Sequence, residues 1–174
     1  MSGDAWIKEA YEAIWMGDFE RAAACFELAI AEQPNCASYY YKLSVTCARS
    51  GYLERALTAV RRASELSPEE DSYRQHLNHV LALCYREQAK KRLEDLEAGK
   101  RDENRFEALQ LLREAVRLDP LSAQAYMVMA AVLEESGNKP EALQAVQEAL
   151  HLDPNLKEAV VLSARLTAGR PLFH

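Results

Sequence analysis

The chain has 174 residues, enough to bury a core without metal or disulfide staples. Ala, Glu, Lys, Leu and Arg supply 92 of them, while Gly and Pro number six each, a composition of helices rather than sheets. With 21 basic and 27 acidic residues mixed along the length, the net charge of −6 gives no general attraction to phosphate, which sets aside nucleic acid and anionic membrane as main partners.

The first residues, Met1 to Ile7, hold no basic segment followed by an apolar one, so no signal peptide is expected. The longest apolar run, Ala125 to Leu133, has nine residues, half of what a membrane-spanning helix needs. Cys25, Cys36, Cys47 and Cys84 form no C-x-x-C pair, and free thiols in a cytoplasmic protein are the expectation.

Taken in chain order, the sequence repeats itself. An apolar-periodic stretch runs from near Gly3 to Gly17, where glycine can take the left-handed conformation that ends a helix, and Asp18 is placed to cap the next one. That second stretch carries Ala22, Phe26 and Ala29 on one face and stops before Pro34. The unit then recurs 34 residues on: Gly51, Ala56, Ala63 and Pro68 follow Gly17, Ala22, Ala29 and Pro34 at that interval. Near the end Ala115 and Ala149, and Pro120 and Pro154, keep the same spacing, with Gly137 as the turn, Asn138 as the cap and Pro140 in the first helical turn. Each unit is therefore a helical hairpin. The alanines let the two backbones approach, and Phe26, Val60, Leu112 and Val146 fill the space beside them.

The third unit breaks the count, because Pro68 and Pro120 are 52 residues apart, 18 more than the period. Its first helix begins near Asp71, meets no glycine at 83–87, and is expected to run to Gly99, about 28 residues, with a loop from Gly99 to Glu103. The excess, about 86–103, is predicted to overhang as a charge-laced helix. Leu93 and Leu96 are its strongly apolar residues and a candidate secondary contact, so a docking arm and a solvated spacer both remain open. After Pro154 a last amphipathic stretch, 156–168, reads as a cap, and 169–174 as a short tail.

The 34-residue pattern resembles the tetratricopeptide repeat, in which W-x2-L-G-x2-Y is followed by A-x3-F, a further Ala and a closing Pro. Trp6, Gly17, Phe26 and Pro34 in the first unit carry it. So do Tyr40, Leu43 and Gly51 in the second, Leu77, Leu81 and Leu112 in the third, and Tyr126, Met129, Ala130 and Gly137 in the fourth. The resemblance covers about 3–156. It implies an all-α fold, an α-α superhelical solenoid of four helix-turn-helix repeats plus a C-terminal capping helix, nine helices in all.

In that family the first helices line a concave groove. Helical spacing assigns to it Ile7, Tyr11 and Ile14 of the first unit, Tyr41 and Val45 of the second, Gln75 and His79 of the third, and Met127 and Ala131 of the fourth. This apolar strip suits a peptide or a partner's amphipathic helix. Some of its side chains could instead pack on the chain's own tail or narrow the superhelix. The family's chaperone-binding members grip acidic C-terminal tails with lysines, asparagines and arginine at positions held here by Ile7, Tyr11, Lys42, Ser72 and His76, so such a tail is not an expected partner.

No catalytic constellation is present: the sequence has no G-x-S-x-G, no H-E-x-x-H and no Gly-rich phosphate loop. His76, His79 and Cys84 do not share a helix face closely enough to hold a metal, and neither metal nor cofactor is called for. The acidic pairs Glu69–Glu70 and Glu134–Glu135 have no basic partner visible nearby. The expected function is a cytoplasmic, non-enzymatic protein-interaction module, a scaffold or adaptor. The alternative is a structural protein that forms homo-oligomers through repeat ends, the long helix or the tail.

Overall fold

The computed structural model describes residues 3–94 and 101–168. Among the described residues there are nine helices and no strand: α1 (Gly3–Trp15), α2 (Phe19–Glu32), α3 (Ala37–Arg49), α4 (Leu53–Leu66), α5 (Asp71–Glu94), α6 (Arg101–Leu118), α7 (Ala123–Glu135), α8 (Lys139–Leu152) and α9 (Lys157–Ala168). They form two compact units that divide after Leu81, within α5.

The punctuation read from the sequence is what turns the chain. Gly17, Gly51 and Gly137 have φ of 78°, 81° and 78°, and each joins two helices of one hairpin. Asp18 caps α2 by accepting a hydrogen bond from the backbone N–H of Arg21, and Asn138 caps α8 by accepting from that of Glu141. Pro140 sits in the first turn of α8, where its missing N–H leaves no helical bond unmade.

In the first unit α1 packs on α2, α2 on α3 and α3 on α4. The close approach rests on alanines: Ala22, Ala29, Ala56 and Ala63 are fully buried, with Phe26 and Val60 beside them. Arg55 of α4 reaches back to Glu27 of α2 at 2.8 Å.

The second unit repeats the scheme with Ala108, Ala115, Ala142 and Ala149, and with Leu112 and Val146 filling the space. Arg113 of α6 meets Glu141 of α8 at 3.1 Å, the same 28-residue spacing as Glu27 and Arg55 with the charges exchanged. The cap α9 closes on α8 and α7 through Ala159, Leu162 and Leu166.

The third hairpin differs from its sequence reading in two ways. Arg101 to Glu103, expected in a loop, form the first turn of α6, where Asp102 and Glu103 suit the positive end of the helix dipole. The expected loop residues Gly99 and Lys100, like Leu96 and the 169–174 tail, lie outside the described residues. The stretch from Arg86 to Glu94 is also not a bare overhang. Ala89 is fully buried against Ala108, Leu112 and Val132, with Leu93 one turn further packed on the same cluster. The lengthened α5 thus has partners in α6 and α7. The apolar pair on this segment is therefore Ala89 and Leu93, four residues apart on one helix face.

Candidate functional site

Each unit carries its own share of the residues assigned to the concave strip. In the first, α1 carries Ile7, Tyr11, Ile14 and, one turn beyond Tyr11, Trp15. Tyr11 is 51% exposed and Trp15 91%. Tyr11 meets the buried Phe26 ring edge-on at 6.2 Å, so one edge of it belongs to the hairpin core and the rest to solvent. On α3, Val45 is 39% exposed, whereas Tyr41 is half-buried, with its ring 4.9 Å from Tyr73 and 5.3 Å from His76. Gln75 and His79 are exposed on α5, and the His79 ring stacks at 6.2 Å on that of His76.

Tyr73 and His76 were not in the assigned strip. They face α3 because the third hairpin's first helix packs there, and their signal in the sequence was only their place one helical turn from Leu77 and Val80. His76 is held between rings, and its Nε2 lies 3.0 Å from Ser44 Oγ. Burial lowers its pKa from the ordinary 6.5 to about 4, with the neighbouring His79 adding to the effect.

In the second unit the strip is an open cleft of about 540 Å³. Met127 and Ala131 of α7 line it together with Leu93, so two groove residues and the secondary-contact residue of the sequence reading share one depression. Val128 and Val132 complete its apolar lining. The polar lining comes from Arg92 at the end of α5, from Arg101, Asn104 and Arg105 at the start of α6, from Gln124 and Glu135 of α7, and from Glu158 of α9.

The sequence reading had left the glutamates of α7 without partners. In the fold Glu135 meets Arg105 at 3.5 Å, and Glu134 pairs with Arg165 of α9. One partner comes from the third hairpin and the other from the cap, which no local pattern announces.

The model of the tetratricopeptide repeat matches residues 7–71 and 100–156. The chain belongs to the tetratricopeptide repeat family. Between the two matched ranges lies 72–99, the stretch in which α5 runs on. Tetratricopeptide repeat protein 8 of Homo sapiens is 34% identical over 77 residues, 44% of this chain, and that of Mus musculus 32% identical over the same length. The matched stretch is only 14–15% of the length of those relatives.

Among solved structures, MamA from Desulfovibrio magneticus RS-1 is 18% identical with a TM-score of 0.56, covering 95% of this chain and 84% of its own. A second MamA structure is 16% identical with a TM-score of 0.53, covering 96% of this chain and 81% of its own. These likenesses show the fold class, an all-α solenoid of tetratricopeptide repeats. No helix of the described residues is long and apolar enough to cross a membrane.

Proposed function

We propose that this protein is a non-catalytic interaction module that takes a peptide segment of a partner protein on the first-helix faces of its repeats. The observation that carries the reading is the cleft formed by Met127, Ala131 and Leu93. These partly buried side chains pack on the hairpin cores on one side and line the cleft on the other, where arginines, carboxylates and amides ring them. That mixture suits recognition: an apolar floor for an anchor side chain, and polar groups to orient the backbone that carries it. In the first unit Tyr11, Val45 and Trp15 are exposed apolar side chains of the same kind. Membership of a family of repeat proteins points the same way. A cytoplasmic adaptor or scaffold is the role this fits.

The test is affinity capture from native cell extract, quantified for the wild type and for an Ala131→Trp variant that fills the cleft. Co-purifying proteins retained by the wild type and lost by a folded variant are the expected result. Equal retention by both would remove the cleft from the reading.

A second reading, self-association, is favoured by α9. Its Val160 and Val161 are 48% and 65% exposed on a helix that otherwise closes the array. A light-scattering mass that rises with concentration, and stays at the monomer value after Val161→Glu, would select it.

A further inference from the structure

We infer that the turn end of α1 is a binding site of its own, at which Trp15, with Tyr11, Glu12 and Met16 around it, seats an arginine or lysine from a basic, partly apolar segment of a partner protein. This rests on the interaction-module reading but not on the cleft, with which it shares no residue. Trp15 is 91% exposed and Met16, next to it, 73%. Helical spacing sets Tyr11 one turn before the indole and Glu12 beside it. Tyr11 is held by its edge-on contact with Phe26, so the patch combines one anchored ring with one that stands in water.

The same unit shows what such rings meet. The Arg49 guanidinium lies 5.3 Å from the centre of the Phe19 ring, and that of Arg55 lies 5.6 Å from the centre of the Tyr52 ring. Arg49 stands 34 residues after Trp15, at the same place in the repeat, so where the second hairpin offers a cation the first offers an aromatic face. Indole is the strongest cation acceptor among the aromatic side chains, and among the described residues no cation lies over Trp15. A cation from outside the chain completes the pair.

Charge selects the sign of the ligand. α1, α2 and the turn between them hold seven acidic residues and two basic ones, −5 of the chain's net −6. From Glu9 to Glu20 the sequence has four carboxylates and no cation. The cations that reach them are shared: Arg21 pairs with Glu9 at 2.8 Å and also feels Asp18, while Arg55 of α4 pairs with Glu27 at 2.8 Å and with Glu20 at 3.6 Å. Arg49 is turned to Phe19, and Lys8 stands four residues before Glu12. Glu12 itself is exposed and makes no ion pair among the described residues. A cation that stacks on Trp15 therefore finds a free carboxylate within one helical turn, and an acidic segment is repelled there. Apolar side chains beside that cation in the ligand cover Met16 and the exposed half of Tyr11.

The experiment pans a displayed library of random peptides of about 12 residues against the full chain. Enriched peptides are synthesised and titrated by fluorescence anisotropy against the wild type, Trp15→Ala and Ala131→Trp. A set lost in Trp15→Ala, with Arg or Lys beside Leu, Met, Ile or Phe, is the expected result. Affinity for that set should fall at least about tenfold in Trp15→Ala, less in Trp15→Phe, which keeps a weaker aromatic face, and about two- to fivefold in Glu12→Gln. Citrulline in place of the peptide's arginine, close in shape and neutral, should weaken binding at least about tenfold, and added salt should weaken it too. Both positions are exposed, and a melting curve checks that each variant folds.

A Trp15-dependent set that is acidic or neutral, or one indifferent to citrulline, would overturn this inference. Peptides lost only in Ala131→Trp would overturn it and leave the interaction-module reading standing. No enrichment at all would overturn both. A light-scattering mass that rises with concentration and is set back to the monomer by Trp15→Ser, or flotation with phosphatidylcholine vesicles abolished by the same change, would also overturn it, assigning the face to a second copy of this chain or to a lipid surface.

Discussion

Ser44 and His76, on α3 and α5, are joined by a hydrogen bond of 3.0 Å between Oγ and Nε2. The Ser44 hydroxyl donates its one proton to the carbonyl of Ala56 at 2.8 Å, so it accepts from His76, whose Nε2 carries a proton. Two helices of the first unit and the start of α5 meet at this point, with Tyr41 and Tyr73 stacked beside it.

A pH dependence follows from the burial of the His76 ring beside His79. With a folded pKa near 4 against an ordinary 6.5, the unfolded chain takes up a proton below about pH 6.5 that the folded chain refuses. Stability should be full above pH 6.5, fall by about 1–2 kcal/mol as the pH drops to 4, and then gain no further loss from this group. The full shift would give more, but the ring is only half-buried. Urea melts from pH 7.5 to 4.0 check this, with His76→Gln expected to flatten the profile over that window.

The alanine contacts admit no larger side chain. Ala56 and Ala142 are fully buried where two helices of a hairpin meet, so Ala56→Leu or Ala142→Leu should destabilise by about 1–3 kcal/mol. Thermal melts measure it, and an unchanged melting temperature in both variants would show that the helix phase is wrong.

The lengthened helix is anchored at Ala89. Ala89→Asp would bury a carboxylate among Ala108, Leu112 and Val132 and should destabilise by about 2 kcal/mol or more, whereas Lys91→Ala, exposed two residues on, should change stability by less than about 0.5 kcal/mol. Equal effects of the two substitutions would mean that this stretch is solvated after all.

Tyr11 and Tyr41 should separate. Tyr41 gives up two ring contacts and burial on truncation, so Tyr41→Ala should cost about 2 kcal/mol of stability, and Tyr11→Ala, half of whose ring is in water, about 1 kcal/mol or less. Denaturant midpoints compare them. Tyr11→Ala is then the cleaner probe of binding in the first unit.

The hairpins were legible because their signals are local. A glycine at positive φ, an Asp or Asn cap and a proline past the last turn act within a few residues of themselves, and Gly17, Asp18 and Pro34 mark their boundaries almost to the residue. The third hairpin lacks the glycine, and its reading erred there: Ala89 is too small to stand out as apolar, yet it is buried against Ala108, Leu112 and Val132, which are distant in sequence. At the cleft, Met127 and Ala131 followed from helical spacing. Arg101 and Arg105 did not, because mixed charge on a helix looks solvated until the fold places it beside an apolar floor. The Ser44–His76 and Glu134–Arg165 contacts span 32 and 31 residues, distances set by the packing of one hairpin on another and visible in no single window.

A partner lying on the first-helix face can be caught by site-specific photo-crosslinking. A benzophenone side chain placed at Met127, in the cleft, or at Gln147, exposed on α8, is irradiated in native cell extract. A discrete crosslinked partner is expected from position 127 and none from 147. Crosslinks from 147 with none from 127 would contradict that docking face.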